Sequence, residues 1–269
     1  MKIGVSNLAW TPEAEAKALT LIAACGASGV EVAPAKIASW AELTPMRLAA
    51  FRNLCSGTGL AIPSLQGIFF GRPDVQLLQD AESFAAMCEH LHRVGVIAEM
   101  LGAGVVVFGA PHNRSCKGVS DVEALATERL RKLGDIAREH AIIVGIEPVP
   151  AQYGNDFAAR ASELLALLQT VRHPNVRFHM DCACVQLSGD SPVSAILDAA
   201  AADLLVHYHA AEPDLCSFTA PVCDHAACAS ALRQVKYDGW VVIEMRAHGL
   251  SAVDTALHLV RETYGGEVT

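Results

Sequence analysis

The chain has 269 residues, of which 52% are hydrophobic, and its formal net charge is −9. This length and apolar content allow one large core and fall within the range of α/β barrels that fold as a single domain. The negative charge, without any long block of Lys or Arg, argues against nucleic acid or an anionic membrane as a partner.

The cysteines and the N-terminus bear on the cellular compartment. Nine cysteines are scattered without a C-x-x-C pair, which predicts reduced thiols. The opening segment MKIGVSNLAW lacks the cationic start and apolar core of a secretory signal. No stretch approaches the roughly 20 apolar residues that span a bilayer. We expect a soluble cytoplasmic protein without a membrane partner.

Eight short β-rich segments recur along the chain, separated by longer helical segments. Such alternation is typical of parallel strands that are joined by helical crossovers. The predicted strands are KIGVS (2–6), GVEVAP (29–34), AIPSLQG (61–67), GVVVFG (104–109), IIVGIEP (142–148), VRFHMD (176–181), LLVHYH (204–209) and WVVIEM (240–245).

The segments between these strands carry apolar residues at helical spacing, most clearly at 13–27, 127–141 and 162–172. Eight strand–helix units close most simply as a (β/α)₈ TIM barrel, so we predict an α/β protein with a single domain over 1–264 and a frayed tail at 265–269. An open doubly wound sheet is the alternative. It is disfavoured because no G-x-G-x-x-G follows the first strand.

Polar side chains stand at the ends of the last four predicted strands. In such a barrel the strand C-termini converge on the active site. Glu147, Asp181, His209 and Glu244 would meet there, and carboxylates at the ends of apolar strands need a counter-charge. We predict that these four bind a divalent metal, with Mn²⁺ as first choice and Mg²⁺, Co²⁺, Fe²⁺ or Zn²⁺ as alternatives. His207 would lie one layer deeper, as a packing or supporting residue.

The sequence resembles the xylose isomerase-like barrels, which include sugar phosphate isomerases and epimerases and the ketose 3-epimerases. The similarity is carried by SNLAW (6–10), GVEVAP (29–34), FGAPHNR (108–114), IEPVPAQYGNDF (146–157), MDCA (180–183), HYHAAEPDL (207–215), DH (224–225) and IEM (243–245). The resemblance implies the same four metal ligands. It also implies that Glu147 and Glu244 are the catalytic acid/base pair, one on each face of the substrate carbon.

Three positions depart from the ketose 3-epimerase pattern. That pattern has His where this chain has Cys184, Arg where it has Leu215, and Glu where it has Tyr153. In the ketose epimerases these residues hold the hydroxyl and carbonyl groups of the substrate. A plain ketohexose epimerase is therefore disfavoured, whereas the metal chemistry is retained.

Other polar residues near the strand ends are candidates for binding the substrate. Arg114 could pair bidentately with a carboxylate or phosphate, although an ordinary surface loop is an equal alternative for it and its neighbour. Glu31 is expected to be structural or to lie at the rim. The predicted substrate-binding residues are Asn113, Arg114, Tyr153, Glu212, Asp224 and His225.

These observations favour a metal-dependent isomerase or epimerase that acts on a sugar, sugar phosphate or polyol derivative by proton transfer next to a carbonyl. A lyase or dehydratase on a similar polyol is one alternative, and a non-catalytic sugar-binding barrel is another. The expected partner is a small carbohydrate. The identity of the sugar, its phosphorylation and the oligomeric state, including a homo-oligomer, stay open.

Overall fold

The structure, a computed structural model, describes residues 1–265. Within that range the chain forms eight parallel strands in the order β2-β1-β8-β7-β6-β5-β4-β3. All eight predicted strands are confirmed. Their bounds are β1 Lys2–Ser6, β2 Gly29–Glu31, β3 Ser64–Leu65, β4 Val105–Phe108, β5 Ile143–Ile146, β6 Val176–Asp181, β7 Leu205–Ala211 and β8 Trp240–Glu244.

Strands β2 and β3 lie at the two ends of this order and close the barrel. They are joined by isolated bridges between Gly29 and Ala61 and between Val32 and Leu65. The backbone N–H of Val32 also donates to the Ser64 carbonyl at 3.1 Å. The predicted TIM barrel is therefore confirmed, and it forms a single domain.

Ten α-helices occur in the described part of the chain, and most of them pack against the outside of the barrel. The long helix Ala81–Leu101 shows why they form where they do. The Asp80 side chain accepts a hydrogen bond from the Ser83 N–H at its start, and Gly102 ends it with φ +86°. The helices are α1 Glu15–Ala24, α2 Pro34–Ile37, α3 Pro45–Gly57, α4 Ala81–Leu101, α5 Val122–Glu139, α6 Ala161–Val171, α7 Cys182–Leu187, α8 Pro192–Ala201, α9 His225–Gln234 and α10 Leu250–Tyr264.

Element bounds differ from the prediction in two instructive places. Strand β3 is only two residues long because the preceding Pro63 has no N–H to donate to a ladder. Strand β7 continues past the predicted end to Ala211. The predicted frayed tail begins at Gly265, and residues 266–269 lie outside the described residues. None of the described helices combines the length and apolarity needed to cross a membrane.

Alternation along β7 sorts its side chains between the two layers of the fold. The hydroxyl of Tyr208 points outward and lies 2.9 Å from the hydroxyl of Tyr264 on α10. His207 and His209 point inward and are almost fully buried. Strand β7 thus places two imidazoles inside the barrel, one near its C-terminal end and one a layer below.

Candidate metal centre

The four residues predicted to bind a metal sit at the same height of the barrel. Asp181 and Glu244 are the last residues of β6 and β8, and Glu147 directly follows β5. Asp181 lies opposite His209 in the register of β6 and β7. Because parallel strands end on one face, the carboxyl ends of four consecutive strands present these side chains together.

The side chains approach each other closely enough to share one ion. Asp181, His209 and Glu244 each offer a ligand atom within 4.8 Å of the others, and so do Glu147, Asp181 and Cys184. The Nδ1 atom of His209 lies 3.3 Å from Glu244 Oε2 and 3.7 Å from Asp181 Oδ2. The structure therefore brings the four predicted ligands together around Asp181.

Glu31 holds the imidazole of His209 in place, a role that sequence reasoning did not assign to it. Its Oε1 atom lies 2.8 Å from His209 Nε2, and its Oε2 atom accepts a hydrogen bond from Ser64 at 2.7 Å. Gln66 also donates to Oε1, at 2.8 Å. A carboxylate on Nε2 orients the ring and leaves Nδ1 to face the cluster, as outer partners of metal-binding histidines do.

The surroundings of His209 Nδ1 indicate whether these residues can bind a metal. It is buried and forms no hydrogen bond with any described residue, and it faces the carboxylates of Asp181 and Glu244. Three carboxylates and one imidazole are also the donor set that divalent ions such as Mn²⁺ accept. The residues present therefore fit a divalent cation at this point.

Electrostatics favour a cation here as well. Burial, followed by the charges of Asp181 and Glu244, raises the pKa of Glu147 to about 8. Burial also raises the pKa of Glu244. For His209, burial opposes the charge, but Glu31 and Glu244 raise its pKa well above the usual range. The cluster thus retains protons at neutral pH that a divalent cation would replace.

A second pair of histidines lies beneath the centre. His207 and His179 face each other with 3.2 Å between their Nδ1 atoms, and His207 Nε2 is 3.5 Å from Glu31 Oε2. Burial lowers the pKa of His207 to about 4 and that of His179 well below the usual range. These rings are therefore neutral and support the centre. The position of His179 inside the barrel could have been predicted from the sequence. It lies two residues before Asp181 and therefore on the same face of β6.

Two cavities open beside the centre. A cavity of about 480 Å³ is lined by Glu147 and Glu244 and by the segments that follow β3 and β4. A smaller one of about 240 Å³ is lined by Asp181 and by all three positions that depart from the ketose epimerase pattern, Tyr153, Cys184 and Leu215. The three departures from the ketose 3-epimerase pattern thus lie together on the side of the centre that faces the smaller cavity.

Among the predicted substrate-binding residues, Asn113 lines the larger of these cavities and Tyr153 the smaller, and both also form hydrogen bonds within the protein. The side-chain amide of Asn113 donates to the carbonyls of Arg72 and Val75, both at 2.7 Å. The hydroxyl of Tyr153 donates to Asp214 Oδ1 at 2.9 Å. Arg114 is different, because it is fully buried and none of its guanidinium nitrogens has a hydrogen-bond partner among the described residues.

The other three candidates make contacts within the loop after β7 and at the start of α9, and one of them, Glu212, also lines the smaller cavity. Glu212 lies 2.8 Å from His225 Nε2 and accepts from the Val222 N–H at 2.8 Å. The Nδ1 atom of His225 lies 2.8 Å from the hydroxyl of Tyr264. Asp224 caps α9 by accepting from the Ala227 N–H at 2.9 Å. These contacts give Glu212, Asp224 and His225 a structural role, and their contact with a substrate stays a prediction.

Eight parallel strands, a ring of helices and a cluster of carboxylates and imidazoles at the C-terminal mouth define a TIM barrel with a candidate metal centre. The family model of the xylose isomerase-like TIM barrel matches residues 19–263. The chain belongs to this family. No curated protein sequence matches the chain.

Solved structures of similar fold include two sugar epimerases and a dehydratase. A D-psicose 3-epimerase, in the presence of D-fructose, shares 22% identity over 99% of this chain and 100% of its own, with a TM-score of 0.82. The 3-keto-D-glucoside 4-epimerase from E. coli shares 20% over 97% and 99%, with a TM-score of 0.78. The probable 3-DHS dehydratase from Bacillus anthracis shares 15% over 97% and 98%, with a TM-score of 0.76. At these identities the likeness establishes the common fold.

Proposed function

We propose that the protein is a divalent-metal-dependent isomerase or epimerase that moves a proton at a carbon next to a carbonyl of a sugar or sugar derivative. The proposal extends to this chain what the names of its neighbours say of them, since two of the three are epimerases of sugars. Glu147, Asp181, His209 and Glu244 would hold the metal.

One observation carries the proposal: the buried Nδ1 atom of His209 has no hydrogen bond and faces the carboxylates of Asp181 and Glu244. The opposite nitrogen of the ring is engaged by Glu31 at 2.8 Å. An imidazole oriented in this way is suited to ligation. A non-catalytic barrel would have no need for such a costly group of buried charges.

Glu147 and Glu244 are the proposed acid and base. They lie on non-adjacent strands of the barrel and both line the cavity of about 480 Å³, so a sugar in that cavity would lie between them. With the ion bound, the carboxylate oxygen of each glutamate that does not ligate it would be free to take up and return a proton.

The metal, when bound, would stabilise the negative charge that develops on the substrate oxygens as the proton leaves. Carboxylate-dominated ligation favours Mn²⁺ or Mg²⁺, and the imidazole keeps Co²⁺, Fe²⁺ and Zn²⁺ in range. Of these, we propose Mn²⁺.

Solvent deuterium tests the reaction directly. The protein is loaded with Mn²⁺ and incubated in D₂O with a panel of ketoses, aldoses, sugar acids and sugar phosphates, and label at carbon is read by NMR. We expect uptake into at least one compound and its loss, by about a hundredfold or more, in Glu147→Gln and Glu244→Gln. Product analysis then separates an epimer, an isomer and a dehydrated product.

Glu128→Gln serves as the control, because Glu128 is exposed on the outer helix α5. It should exchange label at the wild-type rate. Equal uptake by wild type and both active-site variants would refute the assigned pair. A Mn²⁺-loaded protein that labels no compound in the panel would count against the reaction itself.

A further inference from the structure

Two histidines in the helical layer outside the barrel bring ring nitrogens together. His92 lies on α4, and His140 directly follows α5. His92 Nδ1 and His140 Nε2 lie 3.1 Å apart, and the ring planes are inclined by 71°. Neither residue lines the cavities beside the metal centre. The pair is therefore a separate cluster of possible ligand atoms.

A carboxylate on the other side of the His140 ring orients it toward His92. Glu99 Oε1 lies 2.7 Å from His140 Nδ1. Because an ionised carboxylate only accepts hydrogen bonds, this contact assigns the proton of the neutral ring to Nδ1 and leaves a lone pair on Nε2. Histidines that bind metals commonly have a carboxylate on the nitrogen that faces away from the ion. His140 is thus oriented as a ligand would be.

Gly95 on α4 leaves the space that the His140 ring occupies. A Cβ atom built on Gly95 would lie 2.3 Å from His140 Cγ, so the ring rests directly on the backbone of α4. His92, Gly95 and Glu99 follow each other at helical spacing and therefore share one face of α4. This face supplies one imidazole, the space for a second and the carboxylate that orients it.

The next helix pair repeats this packing without a second imidazole. A Cβ atom built on Gly134 of α5 would lie 2.2 Å from Nδ1 of His173, which follows α6. There, His173 Nδ1 accepts a hydrogen bond from the Asn175 N–H at 3.1 Å, and His173 Nε2 lies 3.4 Å from Asp135 Oδ1. Packing a histidine on a helix glycine therefore does not require a facing histidine. His92 is an additional feature of the first pair.

The distance between the two facing nitrogens suits a shared ion. Two nitrogens that bind a tetrahedral zinc ion at about 2.0–2.1 Å lie roughly 3.3 Å from each other. The separation of 3.1 Å between His92 Nδ1 and His140 Nε2 is close to this value. Glu139 Oε2 lies 3.8 Å from His92 Nδ1, and the Glu139 side chain is 61% exposed, so its rotation can bring a carboxylate to the same ion.

We propose that His92, His140 and Glu139 form a second metal site, which binds Zn²⁺ and connects α4 to the end of α5. Glu99 is the residue that positions His140. Imidazole ligands suit Zn²⁺, whereas Mn²⁺ prefers oxygen ligands, so this site takes a different ion from the carboxylate-rich centre inside the barrel. The proposal does not depend on the reaction proposed above.

Zinc stoichiometry tests the second site. The metal-free protein is titrated with Zn²⁺ in competition with a chromogenic chelator, and the same titration is made with His92→Gln. The His92 side chain is 46% exposed, so its replacement leaves the packing of α4 intact. We expect the variant to bind one equivalent of Zn²⁺ fewer than wild type, whatever the centre around Asp181 binds. Titration with Mn²⁺ should give the same stoichiometry for both proteins.

Two further variants separate this site from general binding at surface histidines. Glu99→Gln keeps both imidazoles and should weaken the additional equivalent by roughly tenfold to a hundredfold. His173→Gln is the matched control, because it changes the equivalent histidine on Gly134, and it should bind Zn²⁺ like wild type. Equal zinc stoichiometry in wild type and His92→Gln would overturn the proposal. The same loss in His173→Gln as in His92→Gln would also overturn it.

Discussion

Gly109 leaves the space that the carboxylate of Glu147 occupies. A Cβ atom built on Gly109 would lie 2.0 Å from Glu147 Oε2, so an alanine there forces the carboxylate to move. We expect Gly109→Ala to weaken Mn²⁺ binding by roughly tenfold to a hundredfold, the range seen when the support of a metal site is disturbed. Isothermal titration of the variant with Mn²⁺ measures this directly.

Gly104→Ala is the matched control. Gly104 directly precedes β4, the strand that Gly109 directly follows, and a Cβ atom built on Gly104 meets nothing within 4 Å. This variant should bind Mn²⁺ like wild type. If Gly109→Ala also binds Mn²⁺ like wild type, Glu147 is not a ligand in the position that the structure gives it.

Glu31 contacts His209, one of the proposed metal ligands, at 2.8 Å. Glu31→Gln replaces the charged acceptor at His209 Nε2 with a neutral amide, and His209 becomes a weaker ligand. We expect Mn²⁺ affinity to fall roughly tenfold to a hundredfold, with a smaller loss in Ser64→Ala, which removes only a hydroxyl that donates to Glu31. Equal affinities in wild type and Glu31→Gln would show that this contact does not tune the centre.

The contrast between Glu31 and Glu244 shows what the sequence could reveal about the site. Glu244 and Asp181 end β8 and β6, and Glu147 directly follows β5, so strand order predicted that they converge at one end of the barrel. Glu31 ends a short strand and is 178 residues from its partner His209. Only the closed barrel, which brings the interior of β2 against that of β7, decides that they touch.

At the level of elements, Asp224 is the N-cap of α9. Asp224→Ala should lower the free energy of unfolding by about 1 kcal/mol, the usual cost of a lost N-cap, and leave deuterium exchange unchanged. Asp224→Asn keeps the capping oxygen and should restore stability. A loss of exchange in both variants, with wild-type stability of the second, would reinstate Asp224 as a substrate-binding residue. Urea unfolding and label uptake give the two readouts.

His90 on α4 gives the wall of the larger cavity a pH dependence. Its Nε2 atom lies 2.8 Å from the Ile68 carbonyl and its Nδ1 atom 2.5 Å from Arg72 Nη1, so the ring is neutral. Burial lowers the pKa of His90 and outweighs the hydrogen bond to the Ile68 carbonyl, which raises it. The charges of Arg72 and Arg93 lower this pKa further, and Asp74 opposes them. The unfolded chain therefore binds more protons than the folded one as pH falls through about 6.5, and stability is lost in that direction.

The measurement is Tm against pH for wild type and His90→Gln, in which an amide can replace both contacts without titrating. We expect the wild-type Tm to fall more steeply than that of the variant between about pH 7.5 and 5.5. Parallel curves would assign the acid sensitivity to other groups.

Strands were easier to predict than their pairing. Segments such as VVVF (105–108) and WVVI (240–243) are continuous apolar runs, which parallel strands buried on both faces require. The segment 61–67 has the composition of a strand, but Pro63 interrupts its ladder and leaves Ser64–Leu65 as β3. The pairing of β2 with β3, which closes the barrel, therefore has few hydrogen bonds. Neither segment alone indicates that these two strands pair.

At the scale of the whole molecule, a bound metal would connect strands that are distant in sequence. Its proposed ligands come from β6, β7 and β8 and from the residue after β5, so a bound ion favours the closed barrel over any opened or unfolded state. At a free concentration of one hundred times Kd, a ligand specific for the folded state adds about 2.7 kcal/mol. The protein is first stripped of metal with a chelator and then titrated with Mn²⁺. For a chain of this size we expect the Tm of the Mn²⁺-loaded protein to lie about 5–10 °C above that of the metal-free protein.

Asp181→Asn is the control for the rise in Tm with Mn²⁺. Asp181 belongs both to the group with Glu147 and Cys184 and to the group with His209 and Glu244. Its amide oxygen can still accept the Cys184 N–H, which lies 2.7 Å from Asp181 Oδ1, so the start of α7 keeps its cap. We expect a Tm for the metal-free variant at or above that of metal-free wild type, because one of the repelling carboxylates is gone, and at most a small rise with Mn²⁺. An equal rise in both proteins would place the bound ion elsewhere on the chain. No rise in either would mean that the clustered carboxylates are balanced by protons alone.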